Sequence, residues 1–222
     1  MALAIFDLDH TLLNGDSDYL WGEYMVAHDI VDAETYRSQN QQFLEDYQCG
    51  QLDNEIYLEF ALKPLSRHSI EQLTIWRADF VENWIRPIIA KSTPGILEKH
   101  RNRGDTLLVI SATNLFVTAP IAKLLDIPHI LATEPEIMDN RYTGRYLGTP
   151  TFKEGKVTVL QTWLKNQPLS LDGSFFYSDS INDLPLLEQV TTAVTVSPDA
   201  ALLAIAEQKG WPVIDLEEQF SR

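Results

Sequence analysis

The stretch IFDLDHTLLNGDSD, residues 5–18, decides the fold. A short apolar run over residues 2–7 predicts a buried β-strand, and this strand ends at Asp7, with Asp9 one residue further on. Two carboxylates this close repel each other unless cations neutralise them. The stretch therefore predicts a charged site at the carboxyl end of the first strand.

Further apolar runs of the same kind follow along the chain. They occupy residues 105–111, 129–134, 174–179 and 192–197, and helical patterns over 94–104, 118–126, 154–167 and 181–190 alternate with them. Alternating strands and helices are typical of the α/β class, so we expect a Rossmann-like, doubly wound, mostly parallel sheet. Ligands bind outside the carboxyl ends of the strands in such sheets.

One segment interrupts this alternation. Residues 17–88 contain no convincing strand but four amphipathic helical stretches, over 17–30, 32–48, 52–65 and 69–85. We therefore predict an α-helical cap domain at 17–88, inserted into a core domain made of residues 1–16 and 89–222. A β-hairpin that turns near Asp139 and Asn140 is expected within 134–152.

Acidic residues dominate the charge of the chain. Its 222 residues include 17 Lys plus Arg and 32 Asp plus Glu, a formal net charge of −15, which disfavours binding to the phosphate backbone of nucleic acid. The apolar runs are far shorter than the roughly 20 residues that span a bilayer. We expect neither a nucleic-acid partner nor a membrane segment.

Cysteine and histidine usage bears on compartment and metal. Cys49 is the only cysteine and no secretory signal pattern precedes the first strand, so a reducing cytoplasm fits best. The five histidines lie far apart, without the spacing of a zinc site. The sequence leaves the oligomeric state open between monomer and homodimer.

Four short polar elements stand at predicted strand ends or helix starts. They are DLDHT at 7–11, SATN at 111–114, EGK at 154–156 and SDSIND at 178–183. Each one alone has an ordinary structural explanation as a turn, a helix N-cap or a solvated helix charge. Because the carboxyl ends of parallel strands lie at one edge of the sheet, we expect these four elements to meet there.

In this order, the four elements resemble the motifs of the haloacid dehalogenase superfamily of phosphohydrolases. The helical insertion resembles the C1-type cap of subfamily IB, the branch that contains phosphoserine phosphatase. The resemblance implies a Mg²⁺-dependent phosphatase that acts on a small-molecule phosphate monoester. Two non-enzyme alternatives are a response-regulator receiver, which lacks a helical insertion, and a degenerate phosphate-binding protein, which the intact motif residues oppose.

The resemblance also implies a role for each motif residue. Asp7 would be the nucleophile that forms an aspartyl-phosphate, and Asp9 the general acid and base. Lys156, which matches the motif position better than Lys153, would neutralise the nucleophile and the transferring group. Phosphate binding is expected of Ser111, Ala112 and Lys156, and Mg²⁺ binding of Asp7, Asp9, Asp179 and Asp183.

The cap is expected to select the substrate. Asp16 matches the acidic residue that binds the substrate amine in phosphoserine phosphatases, although Asp16 or Asp18 also suits a helix N-cap. The arginine that binds the phosphoserine carboxylate has no counterpart before Arg67. Further candidate substrate contacts are Asp18, Trp21, Asn114 and Asn182. Aromatic residues that could line a pocket, or else the core, are Tyr19, Trp21, Tyr24, Phe60, Trp76 and Trp84.

The stretches GDSDYLW, SATNLFVTAPIA, RYTG and FKEGKV resemble a group of capped hydrolases that includes bacterial histidinol-phosphatases. L-histidinol phosphate carries an amine and a ring but no carboxylate, so it is the favoured substrate. Phosphoserine, phosphoethanolamine and phosphocholine are the alternatives. Transfer of the phosphoryl group to a second alcohol would use the same motifs.

Overall fold

The computed structural model describes residues 2–217 and contains a six-stranded parallel sheet. Its strands are β1 (Leu3–Phe6), β2 (Thr106–Ser111), β3 (His129–Ala132), β6 (Phe175–Ser178), β7 (Thr192–Val196) and β8 (Val213–Ile214), and β4 (Glu134–Met138) and β5 (Arg141–Leu147) form a separate antiparallel hairpin. The spatial order is β3-β2-β1-β6-β7-β8. This order confirms the predicted Rossmann-like α/β class.

Helices fill the connections between the strands. They are α1 (Ser17–Ala27), α2 (Ala33–Gln48), α3 (Asn54–Leu62), α4 (Ile70–Phe80), α5 (Thr93–Asn102), α6 (Leu115–Leu124), α7 (Glu154–Leu164), α8 (Leu184–Leu187) and α9 (Ala200–Lys209). A π-helical turn, Val81–Ile85, extends α4, and short 3₁₀ turns occupy Lys63–Arg67, Arg86–Ile88 and Ile181–Asp183. Within residues 2–217, no helix has the length and apolar character needed to cross a membrane.

The first strand is covered on both faces, which explains its unbroken apolar sequence. All four residues of β1 are buried. Phe6 belongs to the core cluster that contains Ile96 of α5 and Ile121 of α6. Ile5 points to the other cluster, which contains Leu160 of α7 and Leu202 of α9.

The order of the strands places a ligand site at the end of β1. The chain runs outward from β1 through β2 to β3, and then returns to form β6 on the other side of β1. Such a reversal separates the loops that follow the neighbouring strands and opens a crevice at their carboxyl ends. Asp7 follows β1, Ser111 ends β2 and Asp179 follows β6, so all three lie at this crevice.

The two ends of the helical segment between β1 and α5 are hydrogen-bonded to each other, and this paired connection is called the neck below. Asn14 N–H donates to the Ile88 carbonyl at 2.6 Å, and Ala90 N–H donates to the Leu12 carbonyl at 3.0 Å. The chain that enters the segment therefore runs beside the chain that leaves it. The predicted boundaries of the cap, at 17 and 88, fall next to this neck.

Three elements differ from the sequence-based expectation. Helix α6 begins at Leu115 rather than at residue 118, because the Asn114 side chain accepts the Val117 N–H and caps the helix earlier. The helix predicted over 181–190 is a 3₁₀ turn followed by the short α8. Strand β8 has only two residues and is too short for pattern analysis to predict.

The predicted hairpin is confirmed, and Asp139 and Asn140 adopt positive φ at its turn.

Candidate active site

A pocket lies between the carboxyl ends of the central strands and helices α1 to α3. The side of the sheet contributes Asp7, Asp9, His10, Ser111, Ala112, Thr113, Phe152 and Asp179. The helical segment contributes Asp16, Asp18, Tyr19, Asn40, Phe43, Leu44, Tyr47, Leu52, Asn54 and Tyr57. The structure thus brings the first, second and fourth sequence motifs to one cavity.

The third motif contributes Lys156, which does not line the pocket but contacts the pocket residue Asp7 from the buried side. Lys156, 1% exposed in α7, places its Nζ 2.6 Å from Asp7 Oδ1 and 2.8 Å from Asp183 Oδ2. Ser178 Oγ donates to the same Asp183 oxygen at 2.7 Å. A buried ammonium requires such partners on several sides. Lys153 points elsewhere, since its Nζ donates to the Gly50 carbonyl at 3.1 Å.

Negative charge exceeds positive charge in this cluster. Burial raises the pKa of Asp7 to about 7, although the Lys156 ammonium acts in the opposite direction. Burial and the neighbouring Asp7 and Asp183 carboxylates raise the pKa of Asp179 well above its ordinary value. Burial alone would lower the pKa of Lys156, but Asp183 and Asp7 raise it. Lys156 therefore supplies one positive charge near the three carboxylates of Asp7, Asp179 and Asp183.

This charge imbalance fits a divalent cation. Within residues 2–217, no three His, Cys, Asp or Glu side chains form a metal site by themselves. Mg²⁺ does not need such a set, because it is commonly held by one or two carboxylates together with waters and substrate phosphate. Asp7 and Asp179 line the pocket and can serve as those carboxylates. Asp183, also predicted to act in the metal site, accepts hydrogen bonds from Lys156 and Ser178.

Asp9 is held in one orientation by two donors. The backbone N–H of Ser17, at the start of α1, donates to Asp9 Oδ1 at 2.6 Å. The Thr113 hydroxyl donates to Asp9 Oδ2 at 2.8 Å. Donors on both oxygens position a carboxylate at the mouth of the crevice, where it can exchange a proton with a substrate oxygen.

Two of the three predicted phosphate-binding residues, Ser111 and Ala112, lie where the N-terminus of α6 approaches the pocket. Ser111 Oγ accepts the Thr113 N–H at 3.1 Å, which leaves the Ser111 hydroxyl proton free to point toward a ligand. Ala112 and Thr113 line the same end of the pocket. The positive end of the α6 dipole adds to the attraction for an anion at this position.

Two predicted substrate residues line the pocket farther from the strands. Asp16 caps α1, since its Oδ1 accepts the N–H groups of Asp18 and Tyr19, each at 2.9 Å. Asp18 binds the Tyr57 hydroxyl. Burial raises the pKa of Asp16 to about 6 and that of Asp18 to about 7.

The structure places the other predicted substrate contacts outside the pocket lining. Trp21 is 2% exposed and stacks on Tyr24 at a centroid distance of 5.2 Å, because it lies on the face of α1 that packs against the core. Asn114 caps α6 and donates to Asp18 at 3.4 Å. Asn182 donates to the Tyr47 carbonyl at 3.4 Å. The two asparagines thus contact pocket-lining residues without lining the pocket themselves.

Of the six aromatic residues predicted to line either a pocket or the core, Tyr19 lines the pocket. Trp21, Tyr24 and Trp84 pack together in the core cluster, Trp76 packs against His68, and Phe60 stacks on Tyr36. The aromatic wall of the pocket is instead made by Phe43, Tyr47, Tyr57 and Phe152, which sequence analysis did not single out. Thr113 was also missed, although its position directly after Ser111 and Ala112 in SATN could have indicated it.

The chain is similar to a known family and to named relatives. The family model described as haloacid dehalogenase-like hydrolase matches residues 4–188. A Neisseria meningitidis protein named histidinol-phosphatase is 45% identical over 97% of this chain and 99% of its own length. A Mycobacterium tuberculosis protein named as a phosphoserine phosphatase is 29% identical over 96% of this chain and 70% of its own length.

Solved structures show the same fold. A Bordetella pertussis protein of unknown function superposes with a TM-score of 0.91 at 43% identity, over 97% of this chain and 98% of that one. A substrate-bound phosphoserine phosphatase superposes with a TM-score of 0.70 at 17% identity, over 98% of this chain and 93% of that one. Since the family model covers most of the sequence and its motif residues converge on one pocket, the chain belongs to the haloacid dehalogenase-like hydrolases.

Proposed function

We propose that the protein is a Mg²⁺-dependent phosphatase that hydrolyses L-histidinol phosphate through an aspartyl-phosphate on Asp7. The chain is a phosphatase by its family and by its relatives. The observation that carries the proposed mechanism is the 2.6 Å contact between Lys156 Nζ and Asp7 at the base of a pocket that also contains Asp9 and Asp179.

The residues around Asp7 suit a two-step displacement. Asp7 attacks phosphorus, and the bond from phosphorus to the ester oxygen breaks while Asp9 donates a proton to the departing alcohol. Asp9 then takes a proton from a water that attacks phosphorus and releases inorganic phosphate and free Asp7. Lys156 favours the ionised form of Asp7 and offsets the charge on the transferring group, to which Ser111 donates a hydrogen bond.

The metal would occupy the acidic end of the pocket. Asp7, Asp179 and the backbone carbonyl of Asp9 would hold it, and Asp183 would act indirectly through Lys156. Bound there, Mg²⁺ supplies positive charge that offsets the negative charge of the phosphoryl oxygens.

The pocket wall favours an amine and disfavours a carboxylate. Asp16 offers an acceptor beside Asp9, and none of the pocket-lining residues in the described part of the chain is Lys or Arg. A carboxylate buried without a cationic partner costs free energy, so phosphoserine fits poorly. The 45% identity to the neisserial histidinol-phosphatase supports the choice of histidinol phosphate among the amine-bearing esters.

We further propose that residues 17–88 act as the cap of this site. The end of α2 and the turn that follows it contact the loop before α7. Lys153 Nζ donates to the Gly50 carbonyl at 3.1 Å, and the Tyr47 ring lies 5.9 Å from the Phe152 ring. These contacts enclose the pocket and would exclude bulk water during transfer.

The test is phosphate release from a panel of esters: L-histidinol phosphate, phosphoserine, phosphoethanolamine and phosphocholine. We expect the highest kcat/KM for histidinol phosphate in Mg²⁺ and loss of all activity in EDTA. Asp7→Asn should fold normally but release no phosphate, and rapid quenching of the wild type should give a phosphorylated peptide that contains Asp7.

Asp32→Asn is the matched control, because Asp32 caps α2 at the surface outside the pocket and asparagine caps equally well. Retained turnover by Asp7→Asn would contradict the role of Asp7. A preference for phosphoserine would contradict the proposed substrate but leave the chemistry standing.

A further inference from the structure

The two carboxylates in the outer part of the pocket are held in different ways. Asp16 is fixed by the backbone of α1 as its N-cap. Asp18 is fixed by side chains of two other elements, since Tyr57 of α3 donates to its Oδ2 and Asn114 at the start of α6 donates to its Oδ1 at 3.4 Å. Asp16 is thus held by the backbone of its own helix, whereas Asp18 is positioned by side chains of other elements.

The two carboxylates also lie at different places relative to the chemistry. Asp16 directly precedes Ser17, whose N–H binds Asp9 at 2.6 Å, so Asp16 lies beside the acid and base group. Asp18 turns toward α3, where it binds Tyr57. A substrate that extends from the phosphoryl site therefore passes Asp16 before it reaches Asp18.

Two aromatic rings, set edge to face, adjoin Asp18. Phe43 and Tyr57 both line the pocket, and their ring centroids lie 5.3 Å apart at an interplanar angle of 68°. The hydroxyl that binds Asp18 belongs to one of these rings, so the carboxylate lies at the edge of the aromatic wall. A planar heterocycle can pack against such a wall while an N–H at its rim donates to the carboxylate.

We infer that Asp18, Tyr57 and Phe43 form a subsite for a planar heterocycle that carries an N–H donor, separate from the amine site at Asp16. The inference rests on the proposed function and narrows its substrate class to phosphate monoesters with an amine near the ester and an N–H ring farther out. In this subsite Asp18 contacts the ring, and Tyr57 is both a wall and the positioning residue for Asp18.

The pKa of Asp18 agrees with this role. Burial raises the pKa of Asp18 to about 7, and the Tyr57 hydrogen bond offsets only part of that effect. A buried carboxylate gains stability from an additional N–H donor or cation, which a bound heterocycle supplies.

The test compares two probes that share the amine and differ in the ring. L-histidinol phosphate carries an imidazole, and O-phosphoethanolamine does not. The readout is the ratio of kcat/KM for the first ester to kcat/KM for the second. We expect a wild-type ratio of about 10 or more, and a fall of about 10-fold in Asp18→Asn, since loss of one acceptor for a substrate N–H has effects of at least this size.

Tyr57→Phe serves as the second variant and keeps the aromatic wall. It removes only the hydroxyl that orients Asp18, so we expect a smaller fall in the ratio, of about 3-fold. It also decides the outcome if circular dichroism shows that Asp18→Asn does not fold. Asp32→Asn, outside the pocket, should keep the wild-type ratio.

Two results would overturn the subsite alone, and a third would overturn the proposed function as well. Ratios equal to that of the wild type in the folded variants would overturn the subsite, and so would a wild-type ratio near one. Either result leaves the phosphatase proposal standing as long as the wild type hydrolyses at least one of the esters. Hydrolysis of neither ester by the wild-type protein in Mg²⁺ would overturn both the subsite and the proposed function.

Discussion

Gly155 directly precedes the buried Lys156, and the backbone around it leaves no room for a side chain. A Cβ at this position would lie 1.9 Å from the carbonyl oxygen of Pro150. Because the opposing atom belongs to the backbone, the clash could be relieved only by shifting the start of α7 or the preceding loop. The placement of the Lys156 ammonium against Asp7 therefore depends on the absence of a methyl group.

We predict that Gly155→Ala destabilises the protein by about 1–3 kcal/mol, the usual range for overpacking. Since it also displaces Lys156, kcat should fall by about 100-fold. Urea unfolding and steady-state kinetics measure the two effects. Glu154→Ala, an exposed neighbour in the same helical turn, should change neither quantity appreciably. Wild-type kcat in Gly155→Ala would show that the close approach between Gly155 and the Pro150 carbonyl does not position Lys156.

At the scale of elements, α6 carries a proline in its interior. Pro120 has no N–H to donate to the carbonyl of Phe116, four residues earlier. Arg77 of α4 fills this gap, because its Nη1 donates to that carbonyl at 3.0 Å and its guanidinium lies 4.6 Å from the centre of the Phe116 ring. The helical segment is thus hydrogen-bonded to α6, the helix whose N-terminus approaches the pocket.

A double-mutant cycle tests this compensation. Arg77→Met should cost about 1–3 kcal/mol of unfolding free energy, because it leaves a buried carbonyl without a donor. In the Pro120→Ala background the same change should cost less, since the N–H of the introduced alanine can bond to that carbonyl. Urea unfolding of the four proteins gives the coupling, expected at about 0.5 kcal/mol or more. Strict additivity would contradict the compensation.

At the scale of the whole molecule, one buried polar network links a helix to two parts of the sheet. His100 of α5 places Nδ1 2.9 Å from Asp105, which precedes β2, and Nε2 2.8 Å from the Tyr177 hydroxyl of β6. A neutral ring satisfies both contacts if Nδ1 donates and Nε2 accepts. Burial lowers the pKa of His100, although Asp105 favours the charged form.

The pH dependence of stability follows from that shift. Because the pKa of His100 is lower in the folded state than its value of about 6.5 in the unfolded chain, the unfolded state binds more protons below that pH. The stability that His100 contributes is therefore present above about pH 6.5 and lost as the pH falls toward its folded pKa.

We predict that the wild type exceeds His100→Gln in unfolding free energy at about pH 8 and that this advantage shrinks by about pH 5. Both proteins contain Asp7, Asp16 and Asp18, so the contributions of these raised pKa values, which act in the opposite direction, cancel in the comparison. Denaturant melts at several pH values measure the difference. An advantage that grows on acidification would contradict a lowered pKa of His100.

Much of the fold could be predicted from local patterns. Runs such as those of β1 and β2 are continuous and apolar because strands covered on both faces require it, and that requirement is visible in short stretches. The meeting of Asp7, Ser111 and Asp179 follows from the same reasoning, since carboxyl ends of neighbouring parallel strands share one edge. Helix ends were less predictable, because the Asn114 cap and the tolerated Pro120 depend on single contacts.

By itself, the sequence determined the class of fold and the order of the motifs, because these depend on periodicity and on positions at strand ends. Only the tertiary structure decided which faces of α1, α2 and α3 line the pocket. Trp21 is buried in the core, whereas Phe43 and Tyr57 line the pocket. The physical reason is that helical periodicity separates an apolar face from a polar one, but the packing of helices distant in sequence determines what each face meets.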